Sequence, residues 1–255
     1  MSTNKIALIT GASSGIGQAC AEIFAEHNYN LFLIARRSDR LSALKAELEK
    51  KYSIEVFTIT LDLRDRKALE QAWQTVPNQW KNIDVLINNA GLSLGLDPFF
   101  EGNVDDWENM IDTNIKSLLY VSRIVSNEMI KHAKGHIINI GSIAGKESYA
   151  NGNVYCSTKA AVDSLTKSMR IDLLTKGIKV SAVHPGAVET EFSVVRFKGD
   201  QERADNVYKG FDPLVAKDIA DVIYFMASRP AHVNVQDVLV MPTAQATASI
   251  INKVL

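Results

Sequence analysis

The run Lys5-Ile-Ala-Leu-Ile-Thr10, then Gly11-Ala-Ser-Ser-Gly-Ile-Gly17, then Gln18-Ala-Cys-Ala-Glu-Ile-Phe-Ala25, constrains the fold more than any other stretch. Its first piece is apolar without alternation, as a parallel strand covered on both faces reads. Its last piece has helical composition and spacing. A strand that ends in glycines and feeds a helix leaves the first helical N–H groups unpaired at the positive end of the helix dipole. A diphosphate can approach such a backbone closely. The spacing Gly-x-x-x-Gly-x-Gly differs from the commoner dinucleotide turn, Gly-x-Gly-x-x-Gly, and alone it is only a tight turn. Between a clear strand and a clear helix it predicts cofactor binding by Gly11, Ser13, Ser14, Gly15, Ile16 and Gly17.

A second strand, Asn30–Ile34, runs into Ala35, Arg36 and Arg37. An adenosine ribose with free hydroxyls is usually held by a carboxylate about 20 residues past the glycine turn, whereas a 2′-phosphate calls for arginine. This stretch holds no acid, and guanidinium presents phosphate with a planar fork of donors. Arg36 and Arg37 therefore predict NADP(H) over NAD(H). The alternative is a solvated pair opening the helix expected over Ser38–Lys51, which Asp39 caps or flanks. Ile54–Ile59 predicts a third strand with Asp62 and Leu63 at its carboxyl end, beside the cofactor. Asp62 has two compatible roles, accepting the adenine amino group and capping the segment from Arg64. A fourth strand, Ile83–Ile87, ends in Asn88-Asn89-Ala90-Gly91, where small residues admit a ring or ribose and the amides can cross-link strand ends; in isolation the segment reads equally well as a plain turn.

Val104–Lys131 has a long amphipathic helical pattern that contains Asn114, an unfavourable residue in a helix, which points to a local kink or a buried water. A fifth strand, His136–Ile140, precedes Ser142, and a helix is expected from Tyr155 to Lys176. Tyr155 and Lys159 are four apart and share a helix face. A phenol beside an ammonium is expected to have a lowered pKa, which suits reversible proton exchange nearer neutral pH. Ser142 can hold an oxygen for that proton. Taken alone, Tyr-x-x-x-Lys is an ordinary surface pair; the glycine turn and the Asn-Asn-Ala-Gly segment make it a candidate catalytic pair.

A sixth strand, Ile178–Val183, ends at His184-Pro185-Gly186. Residues 187–211 are poorly periodic, as substrate lids often are, and contain Arg196. A helix over Lys217–Ser228 and a seventh strand near Val235–Met241 complete one domain, 1–255, without repeat or linker. The fold expected is α/β, a single-domain Rossmann fold with a seven-stranded parallel sheet and helices on both faces. A net charge of −1 gives no basic surface for nucleic acid or an anionic membrane. Cys20 and Cys156 lack metal-ligand spacing and read as reduced thiols of a cytoplasmic protein, with no metal expected. The apolar run after Lys5 is too short for a signal peptide, and no uncharged apolar stretch spans a bilayer.

Taken together, Thr10-Gly-x-x-x-Gly-x-Gly17, Asp62, Asn88-Asn-Ala-Gly91, Asn114, Ser142, Tyr155-x-x-x-Lys159 and Pro185-Gly186 resemble the short-chain dehydrogenase/reductase family along nearly the whole chain. The resemblance implies a seven-stranded Rossmann fold, a nicotinamide cofactor and a homotetramer or homodimer built on the long helices. It implies that Tyr155 gives or takes the proton and Ser142 holds the substrate oxygen. Lys159 would hold the nicotinamide ribose and lower the Tyr155 pKa, and Asn114 would position a water linking Lys159 to solvent. Asn89, Ala90 and Gly91 would contact the cofactor, and Pro185, Gly186, Val188 and Thr190 its nicotinamide and carboxamide. Hydride then passes directly between ring and substrate, so that the protein supplies orientation and proton transfer.

A narrower resemblance, in Gly152-Asn-Val-Tyr155, Thr190-Glu-Phe-Ser193, Val195-Arg-Phe-Lys-Gly-Asp200, Pro230-Ala-His-Val-Asn234 and Met241-Pro242, is to NADP-dependent 3-hydroxy acid (serine/allo-threonine) dehydrogenases and sulfoacetaldehyde reductases. It implies a small anionic carbonyl or hydroxy acid substrate, an aldehyde one methylene from a carboxylate or sulfonate. Arg196 is the candidate for that anion and Tyr149 adds a hydroxyl. The alternative for Arg196 is a surface salt bridge with Asp200. Residues 146–151 and 243–255 match the subgroup less well and are expected to flank the substrate pocket. Two further readings are a reductase of carrier-bound 3-oxoacyl thioesters and a non-catalytic nucleotide-binding regulator, the latter disfavoured by the presence of Ser142, Tyr155 and Lys159 together.

Overall fold

Strands β1 (Ile6–Thr10) and β2 (Asn30–Ala35) lie side by side, and their side chains alternate between two separate cores, as a strand's period of two dictates. Ala7, Ile9, Leu31 and Leu33 enter one core with Phe24 of α1 (Gly15–Glu26), Leu44 of α2 (Ser38–Lys51) and Ile223 of α9 (Ala216–Ala227). Leu8, Phe32 and Ile34 enter the other with Leu69 of α3 (Arg66–Thr75) and Val125 of α5 (Ser117–His132). Both faces of the sheet are therefore covered, which explains why these strands read as unbroken apolar runs. This computed structural model describes residues 4–254; positions 1–3 and 255 of the expected 1–255 domain lie outside the described residues.

The remaining strands of the sheet are β3 (Val56–Thr60), β4 (Val85–Asn88), β5 (Gly135–Ile140), β6 (Ile178–Pro185) and β9 (Asp237–Val240). All seven are parallel, in the order β3-β2-β1-β4-β5-β6-β9. The sense of strand succession reverses between β1 and β4. In an open parallel sheet that reversal parts the connections and leaves a crevice at the carboxyl ends of the strands. The glycine turn and the Asn88–Gly91 segment both leave the sheet there. Strands β7 (Val188–Glu189) and β8 (Leu214–Val215) form a separate pair beside it.

Several local expectations change. The Val104–Lys131 pattern is α4 (Val104–Ile111) and α5 joined by a π-helical turn over Asp112–Lys116 that contains Asn114, the local distortion its presence pointed to. Asp39 flanks α2 from its first turn rather than capping it, the cap position being Arg37, and Asp65 rather than Asp62 caps α3 by accepting from Ala68 N at 3.0 Å. The 187–211 segment holds α7 (Phe192–Arg196) and α8 (Gln201–Tyr208), helices too short to give a readable period. The long helix α6 (Asn153–Leu173) starts two residues before Tyr155. Cys20 and Cys156 are free and buried.

Candidate active site

The glycine turn is open because its backbone takes conformations that side chains disfavour. Gly11 and Gly15 have φ of +64° and +53°. A Cβ on Gly17 would stand 2.4 Å from both Asn89 Nδ2 and Gly11 O. Asn89 Nδ2 donates to Thr10 O and Gly11 O at 3.0 and 3.2 Å, and Thr10 Oγ1 accepts from Asn89 N and Ala90 N at 3.0 Å each. The expected cross-linking of strand ends by amides is thus present. A second relay runs deeper: Asn88 Nδ2 donates to Ser122 Oγ and Asn139 Oδ1, and Asn139 Nδ2 donates to Thr166 Oγ1, all at 2.8 Å.

From this scaffold a cleft of about 470 Å³ runs along the carboxyl ends of the strands. One end is formed by Arg36, Arg37, Asp62 and Leu63, and the middle by Ser13, Ser14, Gly15, Ile16, Asn89, Ala90 and Gly91. The other end brings together Ser142, Tyr149, Tyr155, Lys159 and Arg196, walled by Pro185, Gly186, Val188 and Thr190. Gly17 and Asn114 stand behind the wall. Asn114 is buried, receives Leu92 N at 2.8 Å and donates to Leu92 O and Thr158 Oγ1 at 2.8 and 3.0 Å. It thereby fixes the segment just past Gly91, and a Cβ on Gly91 would come 3.2 Å from its Oδ1.

At the first end, Arg36 is exposed. Arg37 donates from Nη2 to Ser14 Oγ at 2.6 Å and from Nε to Ser13 Oγ at 3.3 Å, and pairs with Glu191 at 2.8 Å. Asp62 accepts from Arg64 Nη2 at 2.6 Å; hydrogen bonds from Arg64, with the Arg36 charge a smaller cause, hold its carboxyl below the ordinary range.

At the other end, α6 puts Tyr155 and Lys159 on one buried face, as their spacing predicts, while Ser142 leaves β5 in extended backbone with its Oγ accepting from Ala144 N at 3.1 Å. A close approach of the Ser142 turn fixes the two parts together: a Cβ on Gly145 would lie 2.5 Å from Lys159 O, and Lys159 Nζ donates to Ile140 O at 2.9 Å. Lys146, next to Gly145, sets its Nζ between Asp163, one helical turn past Lys159, at 2.8 Å and Asp237 at 2.9 Å. The expected lowering of the phenol pKa is not found. Burial pushes Tyr155 up to about 12; the opposing positive charge is that of Arg196, not Lys159, and the polar Ser142 hydroxyl nearby opposes burial further. Burial also brings Lys159 down to about 8. In both groups the neutral form is favoured because removal from water penalises charge.

Arg196 lies over this site. Its guanidinium is 5.2 Å from the Tyr155 ring centre and 5.1 Å from that of Phe192, in cation–π range. Nε donates to Ser93 Oγ and Nη2 to Tyr149 OH, both at 3.0 Å. It forms no ion pair with a carboxylate among the described residues, and Asp200, its expected alternative partner, caps α8 by accepting from Arg203 N. Ser93, Phe192, Glu191 and Gln245 escaped the sequence reading as site residues. Phe192 and Glu191 sit inside the Thr190-Glu-Phe-Ser193 motif, whereas a serine two places past Gly91 carries no spacing signal. Gln245 is in the weakly matching tail, and its Oε1 accepts from Ala187 N at 2.8 Å.

Left-handed glycines, a helix start and an arginine end together form a cradle that fits a dinucleotide bearing a 2′-phosphate. The sequence profile of the short chain dehydrogenase family matches residues 5–201. The NADP-dependent 3-hydroxy acid dehydrogenase YdfG of Salmonella typhi is 46% identical over 246 residues, covering 96% of this chain and 98% of its own. The NADP-dependent 3-hydroxy acid dehydrogenase of Schizosaccharomyces pombe is also 46% identical, covering 96% of this chain and 95% of its own. The solved closed form of serine dehydrogenase complexed with NADP+ superposes with a TM-score of 0.92 at 40% identity, covering 98% of this chain and 100% of that one.

Proposed function

The chain belongs to the short chain dehydrogenase family, and from that premise we propose that it is an NADP-dependent oxidoreductase that reversibly reduces a small anionic aldehyde or ketone, of the malonic semialdehyde or sulfoacetaldehyde type, to the hydroxy acid. The observation that carries the substrate class is Arg196. A guanidinium without a carboxylate partner, pinned by Ser93 and Tyr149 above the Tyr155 ring, is arranged to meet an anion a short distance from a reacting carbon. The named relatives act on 3-hydroxy acids or serine, substrates of that form.

The nicotinamide supplies or accepts the hydride when bound. Ser13 to Gly17 and Asn89 to Gly91 would hold the dinucleotide, Arg36 and Arg37 its 2′-phosphate, and Asp62 and Leu63 its adenine. Pro185, Gly186, Val188 and Thr190 would wall the nicotinamide side. Lys159 would bind the ribose, while Asn114 holds the Gly91 segment against it. Ser142 would receive the carbonyl oxygen and Tyr155 would protonate it. A phenol held near 12 is protonated throughout the neutral range and so stands ready as the acid of the reductive direction. Residues 187–211, with Arg196, would serve as the lid that excludes water. Among the described residues no helix is long and apolar enough to cross a membrane, and with two free buried cysteines this supports our placing the protein in the cytoplasm.

NADPH oxidation with malonic semialdehyde, sulfoacetaldehyde and propanal side by side, for the wild type and Tyr155→Phe, tests the reading. Both anionic aldehydes should exceed propanal in kcat/KM, and Tyr155→Phe should lose nearly all turnover while still binding NADPH. Turnover retained by Tyr155→Phe would remove the tyrosine from its role. Failure of both anionic aldehydes would move the search to larger or carrier-bound carbonyls.

A further inference from the structure

Glu191 stands where a phosphate-binding site would not be expected to hold an acid. It follows Thr190, whose side chain lies 3.4 Å from a Cβ placed on Gly15, so the base of the lid crosses over the glycine turn. Its carboxylate reaches back to the start of α2 and takes one guanidinium on each oxygen: Arg37 Nη1 at 2.8 Å and Arg40 Nη1 at 2.5 Å. Hydrogen bonds from Arg40 and then Arg37 keep that carboxyl below its ordinary range, so it is an anion at neutral pH. Arg37 is otherwise spent on the turn, with Nε on Ser13 Oγ and Nη2 on Ser13 O and Ser14 Oγ. A guanidinium has five N–H donors, and these contacts leave Arg37 one on Nη1 for a ligand.

We infer that Glu191 is a cofactor-specificity residue that holds NADP(H) affinity down: its carboxylate occupies and partly neutralises Arg37, one of the two arginines read as facing an adenosine 2′-phosphate, together with the neighbouring Arg40. The inference rests on the reading that Arg36 and Arg37 face the 2′-phosphate. A dianionic phosphate arriving there meets a fixed negative charge on the same guanidinium, whereas a ribose with a free 2′-hydroxyl carries no charge and is indifferent to it. Arg36, exposed and outside this triad, is left as the principal phosphate contact, while Arg37 ties the glycine turn to the lid. Cofactor grip is thereby moderated at the point where the 187–211 segment begins, for the oxidised and the reduced form alike, since both carry the same 2′-phosphate.

Glu191→Gln keeps the shape and one acceptor oxygen but removes the charge. Binding is read by titrating NADPH and NADH against protein fluorescence, and by calorimetry with adenosine 2′,5′-bisphosphate and 5′-AMP, none of which needs turnover. The expected result is NADPH and the bisphosphate tightening by about 1.4- to five-fold, the range of an exposed ion pair, with NADH and 5′-AMP unchanged. The three side chains are 40–45% exposed, so the difference should shrink at about 0.5 M salt. Equal changes for both cofactors, no change, or a weaker grip on NADPH would each overturn the inference. Arg36→Ala combined with Arg37→Ala separates it from its premise. If that double variant weakens NADPH and NADH alike, the 2′-phosphate reading itself fails. If it weakens NADPH selectively while Glu191→Gln leaves the ratio untouched, only the role of Glu191 is lost.

Discussion

Tyr155 and Lys159 are both buried, and burial moves them toward each other on the pH scale, the phenol up to about 12 and the ammonium down to about 8. The lysine carries the larger consequence for folding. The unfolded chain keeps a proton on it up to its ordinary 10.5, whereas the fold releases it near 8. The unfolded state therefore binds more protons between those values, and this group's contribution to stability rises as pH climbs from about 8 to 10.5. Below pH 8 the buried charge opposes folding by on the order of 3 kcal/mol, offset in part by its bond to Ile140 O. Lys159→Met should accordingly raise Tm by roughly 2–6 °C at pH 7, measured by calorimetry, while turnover collapses. A fall in Tm would mean that the Ile140 bond outweighs desolvation. The pair was legible in the sequence because helix spacing alone puts four-apart residues on one face. Its protonation was not, because Phe192 and Arg196, which shield and charge the phenol, come from a segment whose position spacing does not reveal.

At the level of elements, the distortion in the long helix and the close seat of the Ser142 turn decide how well the site is held. Asn114 is a π-turn residue that satisfies Leu92 N and O with its own amide, so the segment past Gly91 is fixed to the helix rather than left as a free loop. Replacing it by alanine strands both backbone groups in a buried place, which should cost about 1–3 kcal/mol in urea denaturation and lower kcat more than NADPH affinity. An unchanged midpoint would mean that water takes over both bonds. Lys146, between Asp163 and Asp237, ties the Ser142 turn to α6 and β9 in the same way. The strands and principal helices were legible because unbroken apolar runs and 3.6-residue periods are properties of sequence. Caps and short helices were not. Asp39, Asp62 and Asp65 are all acids near a helix start, and only backbone geometry selects Asp65. A five-residue helix such as α7 completes too little of a period to stand out from loop.

Over the whole molecule the cleft has arginines at both ends, Arg36 and Arg37 at one and Arg196 at the other, with Tyr155 and Lys159 near the latter, in a chain whose net charge is only −1. The positive charge is therefore local, placed where the dinucleotide and substrate reading asks for anions. Exposed Ile171 and Leu174 at the end of α6 and its extension, 74% and 72% accessible, are the residues we propose a homodimer or homotetramer covers. Arg196 was legible as a motif residue, yet its lack of a carboxylate partner among the described residues and its pinning by Ser93 came only from the fold. The direct measurement is kcat/KM of the wild type and Arg196→Ala for malonic semialdehyde and for propanal, with the NADPH Kd of each protein. Loss of a charge-assisted hydrogen bond to substrate predicts a fall of roughly 10- to 100-fold for the anionic aldehyde, a change within about 2-fold for the neutral one, and an unchanged Kd. A comparable fall for both aldehydes would contradict the account and leave Arg196 as a structural tie of the lid.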